Sequence, residues 1–357
     1  MAAANRLTRI NVYHMLIWRF NIRNEMGGET MNIRYGAFAV IALLCPAAGW
    51  AQDYTLKFGH AATSTHLFQD GLVMFAEKVA DKTDGKVKVE VFGDRQLGDD
   101  KQLLEGVQLG TIDGALVSVP TIPLTLNAPA FDALQLPFLV PSYDKMAEVL
   151  SSDVGSQFLD TLTPLGIKGL GYVEAGQRHF LSRTKQVTTV DDFKGLKTRI
   201  VPTPLHKAIW EAVGTSPIGM AFGEVFSALE TGTIDAVEIN LSSAYAESYY
   251  EAAKNVTLTG HYFWPGVLMM SGAKFDSLPE DVQKAIAEAA HEVIVEQYAL
   301  ARDQEAETAR KLEEKGAIIS QFSELPEMQA RVQPVVDAWL TKDPLIQVFV
   351  DAVRATN

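Results

Sequence analysis

Leu103-Leu104-Glu105-Gly106-Val107-Gln108-Leu109-Gly110-Thr111-Ile112-Asp113-Gly114 is answered further along the chain by Val225-Phe226-Ser227-Ala228-Leu229-Glu230-Thr231-Gly232-Thr233-Ile234-Asp235-Ala236. In each copy an apolar helical pattern stops on a glycine, Gly110 or Gly232, where a left-handed helix cap is expected. A short buried strand then follows at once. The shared Gly-Thr-Ile-Asp tetrapeptide favours two similar lobes over a chance repeat of a common helix–strand join.

Outward from the first copy the same alternation continues. Tyr54, Leu56 and Phe58 alternate with polar positions in a first strand. A helix over 67–82 carries Leu72, Phe75, Ala76 and Val79 on one face and closes at Thr83-Asp84-Gly85. Val87, Val89 and Val91 mark a second strand, and a helix over 100–109 leads into a strand over 112–118. Alternating elements of this kind predict an α/β architecture with largely parallel sheets. Toward the C-terminus, Ser277-Leu278-Pro279-Glu280 reads as a capping box opening a helix that runs to about Lys315 and stops at Gly316. At about 1.5 Å per residue it is on the order of 50 Å long, enough to span both lobes.

In open α/β sheets ligands sit beyond the carboxyl ends of the strands. Ser118 and Asn240, each five positions after the Asp of the echo, are therefore expected to line a shared cleft. Arg178 follows the strand over 167–172. Arg199 lies in Leu196-Lys197-Thr198-Arg199-Ile200-Val201-Pro202, where alternation places Lys197, Arg199 and Val201 on one face. Arg199 is then either a solvated strand cation or a planar fork aimed at a carboxylate. Phe222 and Trp264, the latter within His261-Tyr262-Phe263-Trp264-Pro265-Gly266, are either pocket walls or core.

The N-terminal region is of another kind. Met31, the cation Arg34, an apolar stretch from Tyr35 to Cys45, and Gly49 and Ala51 ahead of Gln52 have the order of a secretory signal peptide, with the cut expected after Ala51. The apolar stretch is too short to span a bilayer, which needs about 20 residues. Residues 1–30 are read as an extension upstream of the true start at Met31. Cys45 is the only cysteine and falls within the leader, so disulfides and thiol catalysis are not expected of the remainder. The chain has a net charge of −13; residues 1–51 hold five Arg and two Glu, so the rest carries −16. Such acidity opposes binding to nucleic acid or anionic lipid. An anionic ligand would need positive charge concentrated locally.

Enzyme signatures are missing: there is no phosphate-binding glycine loop, no His-Glu-x-x-His and no Gly-x-Ser-x-Gly. His60 and His66 give only a weak zinc spacing, and no metal or cofactor is expected. These residues alone leave binder and enzyme both open.

Several stretches, in order, resemble the solute-binding subunit of tripartite ATP-independent periplasmic (TRAP) transporters, of the dicarboxylate-binding type. They include Phe58-Gly59-His60, Gln96-Leu97-Gly98-Asp99-Asp100, Leu136-Pro137-Phe138-Leu139 and Phe193-Lys194-Gly195-Leu196-Lys197. Phe222-Gly223-Glu224-Val225-Phe226 and Leu278-Pro279-Glu280-Asp281-Val282-Gln283 extend the likeness. It covers about residues 54–325. The resemblance implies a two-lobed fold, a small organic acid as ligand, no enzymatic activity, a periplasmic location and membrane subunits as partners. It implies that Arg199 pairs with the ligand carboxylate, that Arg178 supports it, that Phe222 packs on the ligand and that Ser118 touches it from the first lobe. One departure stands at Asp235-Ala236-Val237-Glu238-Ile239-Asn240, where ungapped alignment puts Ile239 at a position that relatives fill with a ligand-contacting Asn. The expected lobes are 52–175 with 264–303, and 176–263 with 304–357, hinged near 173–175 and 262–265. A binding subunit of an ATP-driven importer, or a periplasmic hydrolase or lyase, are the competing readings.

Overall fold

The computed structural model describes residues 53–355; the expected leader, its cut after Ala51 and the extension over 1–30 lie outside them. In chain order the elements begin β1 (Tyr54–His60), α1 (Leu67–Lys82), β2 (Val87–Phe92), α2 (Asp100–Leu109), β3 (Gly114–Ser118), α3 (Thr121–Leu126), α4 (Tyr143–Ser151) and α5 (Asp153–Asp160). They continue β4 (Ile167–Ser182), β5 (Lys197–Ile200), α6 (Pro204–Val213), β6 (Ser216–Gly219), α7 (Val225–Thr231), β7 (Ala236–Asn240), α8 (Leu241–Ala246), α9 (Tyr249–Ala252) and β8 (Asn255–Leu258). Last come β9 (Phe263–Ser271), α10 (Gly272–Asp276), α11 (Glu280–Glu314), β10 (Ile318–Gln321), α12 (Leu325–Trp339) and α13 (Pro344–Arg354).

The strands run in the order β2-β1-β3-β9-β4-β7-β5-β6, with β8 beside β4 and β10 beside β8. The 16-residue β4 joins two halves. Its first part, through Gln177, pairs with β9, and its last part, Arg178–Ser182, pairs with β7 and β8. Each half holds a parallel trio, β2-β1-β3 in one and β6-β5-β7 in the other. The crossing strands pair antiparallel with their neighbours. The expected largely parallel sheet is thus a mixed one, because the chain must return between the halves along β4 and β9.

The sequence echo has a structural cause. Gly110 and Gly232 both adopt φ 73°, with ψ 18° and 20°. The Asp of each copy then ties down a neighbouring parallel strand. Asp113 Oδ2 accepts the Lys57 N–H at 2.8 Å, and Asp235 Oδ2 accepts the Lys197 N–H at 3.0 Å. The two strands begin at Gly114 and Ala236, slightly later than expected for the first, since the Asp is used as a brace ahead of each.

Helix α11 is 35 residues long, and its buried stripe runs from Val282 through Ile286, Ala290, Ile294 and Ala301 to Leu312. It packs on β4, α1 and α4 and also on α8 and β10, so it touches both halves. The expected capping box does not form: Ser277 Oγ donates to Lys274 O at the end of α10, and the helix starts on Pro279 without a side-chain cap. The expected second-lobe tail, 304–357, also needs correction. Helix α12 lies on α6, but α13 returns to α4, α5 and the 3₁₀ turn at Pro129–Gln135. Its buried Ile346, Phe349, Val350 and Val353 explain why, since Phe349 packs edge-on to Phe158 of α5.

Candidate functional site

A cavity of about 270 Å³ lies between the halves, close to the small end of the range for small-molecule pockets. Five of the six expected site residues line it: Ser118, Arg178, Arg199, Phe222 and Trp264.

Arg199 is near the C-terminal end of β5, which is why its side chain reaches the space beyond the sheet edge. It is 2% exposed, and Thr198 and Ile200 beside it are buried as well. Its Nε and Nη2 both donate to the carbonyl of Met220, at 3.2 and 2.9 Å. Among the described residues it forms no ion pair. Burial lowers its pKa from the usual arginine value, a measure of how poorly its charge is solvated. A buried cation held only by one carbonyl is an unbalanced charge, and an anion entering the cavity would balance it.

Arg178 is arranged differently. Its Nε donates to Glu238 Oε2 at 2.7 Å, Nη2 to the Glu238 carbonyl, and Nη1 to Asn240 Oδ1 at 3.1 Å. Its guanidinium lies 3.6 Å from the centroid of the Trp264 ring. Burial would raise the Glu238 pKa, but the adjacent Arg178 overcomes it and holds the carboxyl well below the usual carboxylate range. Glu238 also accepts the Tyr262 hydroxyl at 3.0 Å. Arg178 is therefore a neutralised, tightly fixed arginine, whereas Arg199 keeps its charge available.

Asn240 does not line the cavity. It is wholly buried behind Arg178, accepting from it and donating through Nδ2 to the Ala175 carbonyl. Ile239 is no substitute, since it is part of the second half's apolar core. The pairing of β7 with β4 puts Asn240 opposite Arg178, and the side chain is spent on orienting it.

Sequence reading missed His66, Asp100, Thr121, Met220 and Ser243, all at the cavity wall. His66 caps α1: its Nδ1 accepts the Phe68 N–H at 3.0 Å, so the ring proton is on Nε2 and is donated to Ser243 Oγ at 2.8 Å. Ser243 in turn donates to Asn240 Oδ1 at 2.9 Å, linking the first half to Arg178. Burial pushes His66 down to about 3, so it is neutral at pH 7 and the site's positive charge rests on the arginines and Lys101. His60 is engaged with Gln69 at 2.7 Å rather than converging with His66. Asp100, the first residue of α2 after its cap Asp99, accepts from the Ser118 N–H at 3.3 Å and Thr121 Oγ1 at 3.4 Å. Desolvation pushes its carboxyl up to about 6. The signal for it was the Asp99-Asp100 pair, readable as a helix start but not as a wall.

Comparison with known proteins gives the same direction. Residues 58–343 match the family model described as bacterial extracellular solute-binding protein, family 7. The chain is 30% identical to the C4-dicarboxylate-binding periplasmic protein DctP of Rhodobacter capsulatus, over 81% of this chain and 86% of that protein. Its fold matches the sugar acid binding protein DctPAm of Advenella mimigardefordensis, solved with galactonate, at a TM-score of 0.80 and 29% identity, covering 85% of this chain and 99% of that one. It also matches a TRAP periplasmic solute-binding protein of Chromohalobacter salexigens with bound D-glucuronate, at a TM-score of 0.78 and 29% identity, covering 84% and 99%. With a two-lobed fold, an unbalanced arginine in the cavity between the halves, and a family match over most of its length, this chain belongs to the bacterial extracellular solute-binding proteins of family 7.

Proposed function

We propose that this chain captures a small hydroxylated organic acid in the periplasm and delivers it to the membrane subunits of a TRAP-type transporter. The observation that carries the reading is Arg199, a buried cation on the cavity wall with no acidic partner among the described residues. A ligand carboxylate would take its free edge, Arg178 would flank it from a fixed position, and Phe222 and Trp264 would supply apolar walls. Ser118, Thr121 and Asp100 suit hydroxyl groups, since all three can accept a hydrogen bond. The carboxylates of Asp99 and Asp100 on the same wall disfavour a second ligand carboxylate there, so a sugar acid of the galactonate or glucuronate kind fits better than a dicarboxylate. The leader over 31–51 supports export, and no helix among the described residues is long and apolar enough to cross a membrane.

A thermal-shift panel of D-galactonate, D-glucuronate, succinate and D-galactose tests this. An acid present at about 100 times its Kd stabilises the fold by about 2.7 kcal/mol. The sugar acids are expected to raise Tm, with succinate weaker and galactose without effect. Arg199→Ala should cost about 2–5 kcal/mol of binding, and Arg199→Lys should also weaken it, because the point charge lacks the planar fork. Stabilisation by neutral galactose alone would overturn the reading.

A further inference from the structure

The geometry points to a second device beside the cavity: Arg95 and Glu247 form a clasp across the cleft mouth that holds the two halves together and sets how long a ligand stays bound. Neither residue lines the cavity, so neither acts by touching ligand.

Arg95 lies in the loop after β2, in the first half, and Glu247 caps the C-terminus of α8, in the second. Arg95 Nη2 reaches Glu247 Oε2 at 3.0 Å, and the Thr63 N–H, in the loop after β1, reaches the other oxygen at 3.1 Å. The carboxylate thus enters a receptor built from two first-half loops. Those loops are locked to each other without it: the Asp94 N–H donates to Ala62 O at 2.8 Å, and the Ser64 N–H to Asp94 Oδ1 at 3.1 Å. The Glu247 side chain is only 9% exposed and that of Arg95 26%, so water screens the pair less than a surface pair. Arg95 also lies 4.9 Å from the Phe222 ring centroid, and Phe222 is a cavity wall.

The backbone marks the position as unusual. Asp94 and Arg95 are consecutive residues with φ of 54° and 59°, a left-handed conformation that glycine adopts without strain and arginine does not. A side chain kept at such a site against its local preference is a sign of use, and here the use is visible as the contact with Glu247 and Phe222. Because every contact of the clasp joins one half to the other, separation of the halves would break all of them. The clasp therefore favours the closed arrangement selectively, which is what a shift in population requires.

The test uses the whole secreted chain, D-glucuronate as ligand, and stopped-flow tryptophan fluorescence, for which Trp264 on the cavity wall is a reporter. It takes its ligand from the function proposed above. Arg95→Gln and Glu247→Gln are each expected to raise the dissociation rate about tenfold while changing the association rate less than about threefold. The double variant should be no faster than either single one, and the swap of Arg95→Glu with Glu247→Arg should restore slow release. Arg95→Gly, which suits the backbone, should leave the ligand-free Tm no lower than wild type while still speeding release. Unchanged dissociation rates, or a salt-dependent loss in association rate alone, would overturn the clasp, the latter by reducing Arg95 to a steering charge. If D-glucuronate does not bind, the organic-acid reading is at fault, and the clasp is tested in the ligand-free protein. Spin labels at Leu109→Cys and Glu230→Cys, in a region with no native cysteine, should then show a closed-distance component. Arg95→Gln should remove it and the swap restore it; identical distance distributions in all variants would overturn the proposal.

Discussion

At the scale of single residues, charge is placed where it can be used or cancelled. Arg178 is cancelled by Glu238 and Arg199 is not, and this difference, rather than the presence of two arginines, is the ground for proposing the cavity as a site for an anion. Residue type and alternation alone favoured a surface cation for Arg199, because period-2 reasoning separates faces of a sheet and not its ends. The expectation that it meets a ligand came only from the resemblance of its setting to a family. Asn240 erred the other way: equal spacing from the echoed Asp suggested the same role as Ser118, but pairing across β4 is not encoded locally. Glu174 was not legible at all. It is wholly buried, and its Oε1 accepts the N–H groups of Gly176 and Trp264, both at 2.8 Å, one from each crossing strand. Burial pushes its pKa up from 4.5 to about 8. The folded protein thus holds this proton more tightly than the unfolded chain, and the resulting stability is complete below about pH 4.5 and lost as pH rises through 8. His66, His206 and His261, held neutral by burial, titrate only below that upper range. Tm should therefore fall between about pH 7 and 8.5 in wild type and stay nearly level in Glu174→Gln, as differential scanning fluorimetry across pH would record. Parallel curves for the two proteins would contradict this assignment.

At the scale of elements, the Gly-Thr-Ile-Asp echo was the most legible feature, since its glycine and its Asp each have a local job. The glycine takes the left-handed cap and the Asp braces the adjacent strand, so both lobes could be recognised before any packing was known. Gly110→Ala puts a Cβ no nearer than 3.4 Å to Ser271 Oγ, so its cost is conformational, about 1 kcal/mol. Gly232→Ala should cost at least as much, because its Cβ would also press on Arg183 at 2.8 Å. Urea denaturation midpoints measure both, and a neutral Gly110→Ala would mean the cap conformation is not required. The start of α11 was misread for a related reason. Ser277-Leu278-Pro279-Glu280 has the composition of a capping box, but Ser277 completes the last turn of α10, and sequence alone does not say which helix owns a residue between two.

At the scale of the whole molecule, the two halves are joined by β4, β9 and α11, and one of the two register shifts of β4, between Glu174 and Gln177, falls where they meet. Gly176, at φ 116°, lies within that irregularity, one residue past the 173–175 stretch expected to act as a hinge. We propose that rotation there opens the cavity, with α11 as the common spine; Gln297 of α11 already bonds both the N–H and the carbonyl of Glu174. The tail was not assignable from sequence, because α12 and α13 are both amphipathic and nothing in either says which half it covers. On the proposed function, a net-acidic protein concentrates its positive charge in one place to take up an anion. Isothermal titration calorimetry of D-galactonate against wild type and Arg199→Ala, with D-galactose as the uncharged control, tests it most directly. The expected result is one D-galactonate per wild-type chain, binding weakened by at least about thirtyfold in Arg199→Ala, and no heat from D-galactose. D-galactonate bound equally well by both proteins, or D-galactose bound as tightly as the acid, would contradict it.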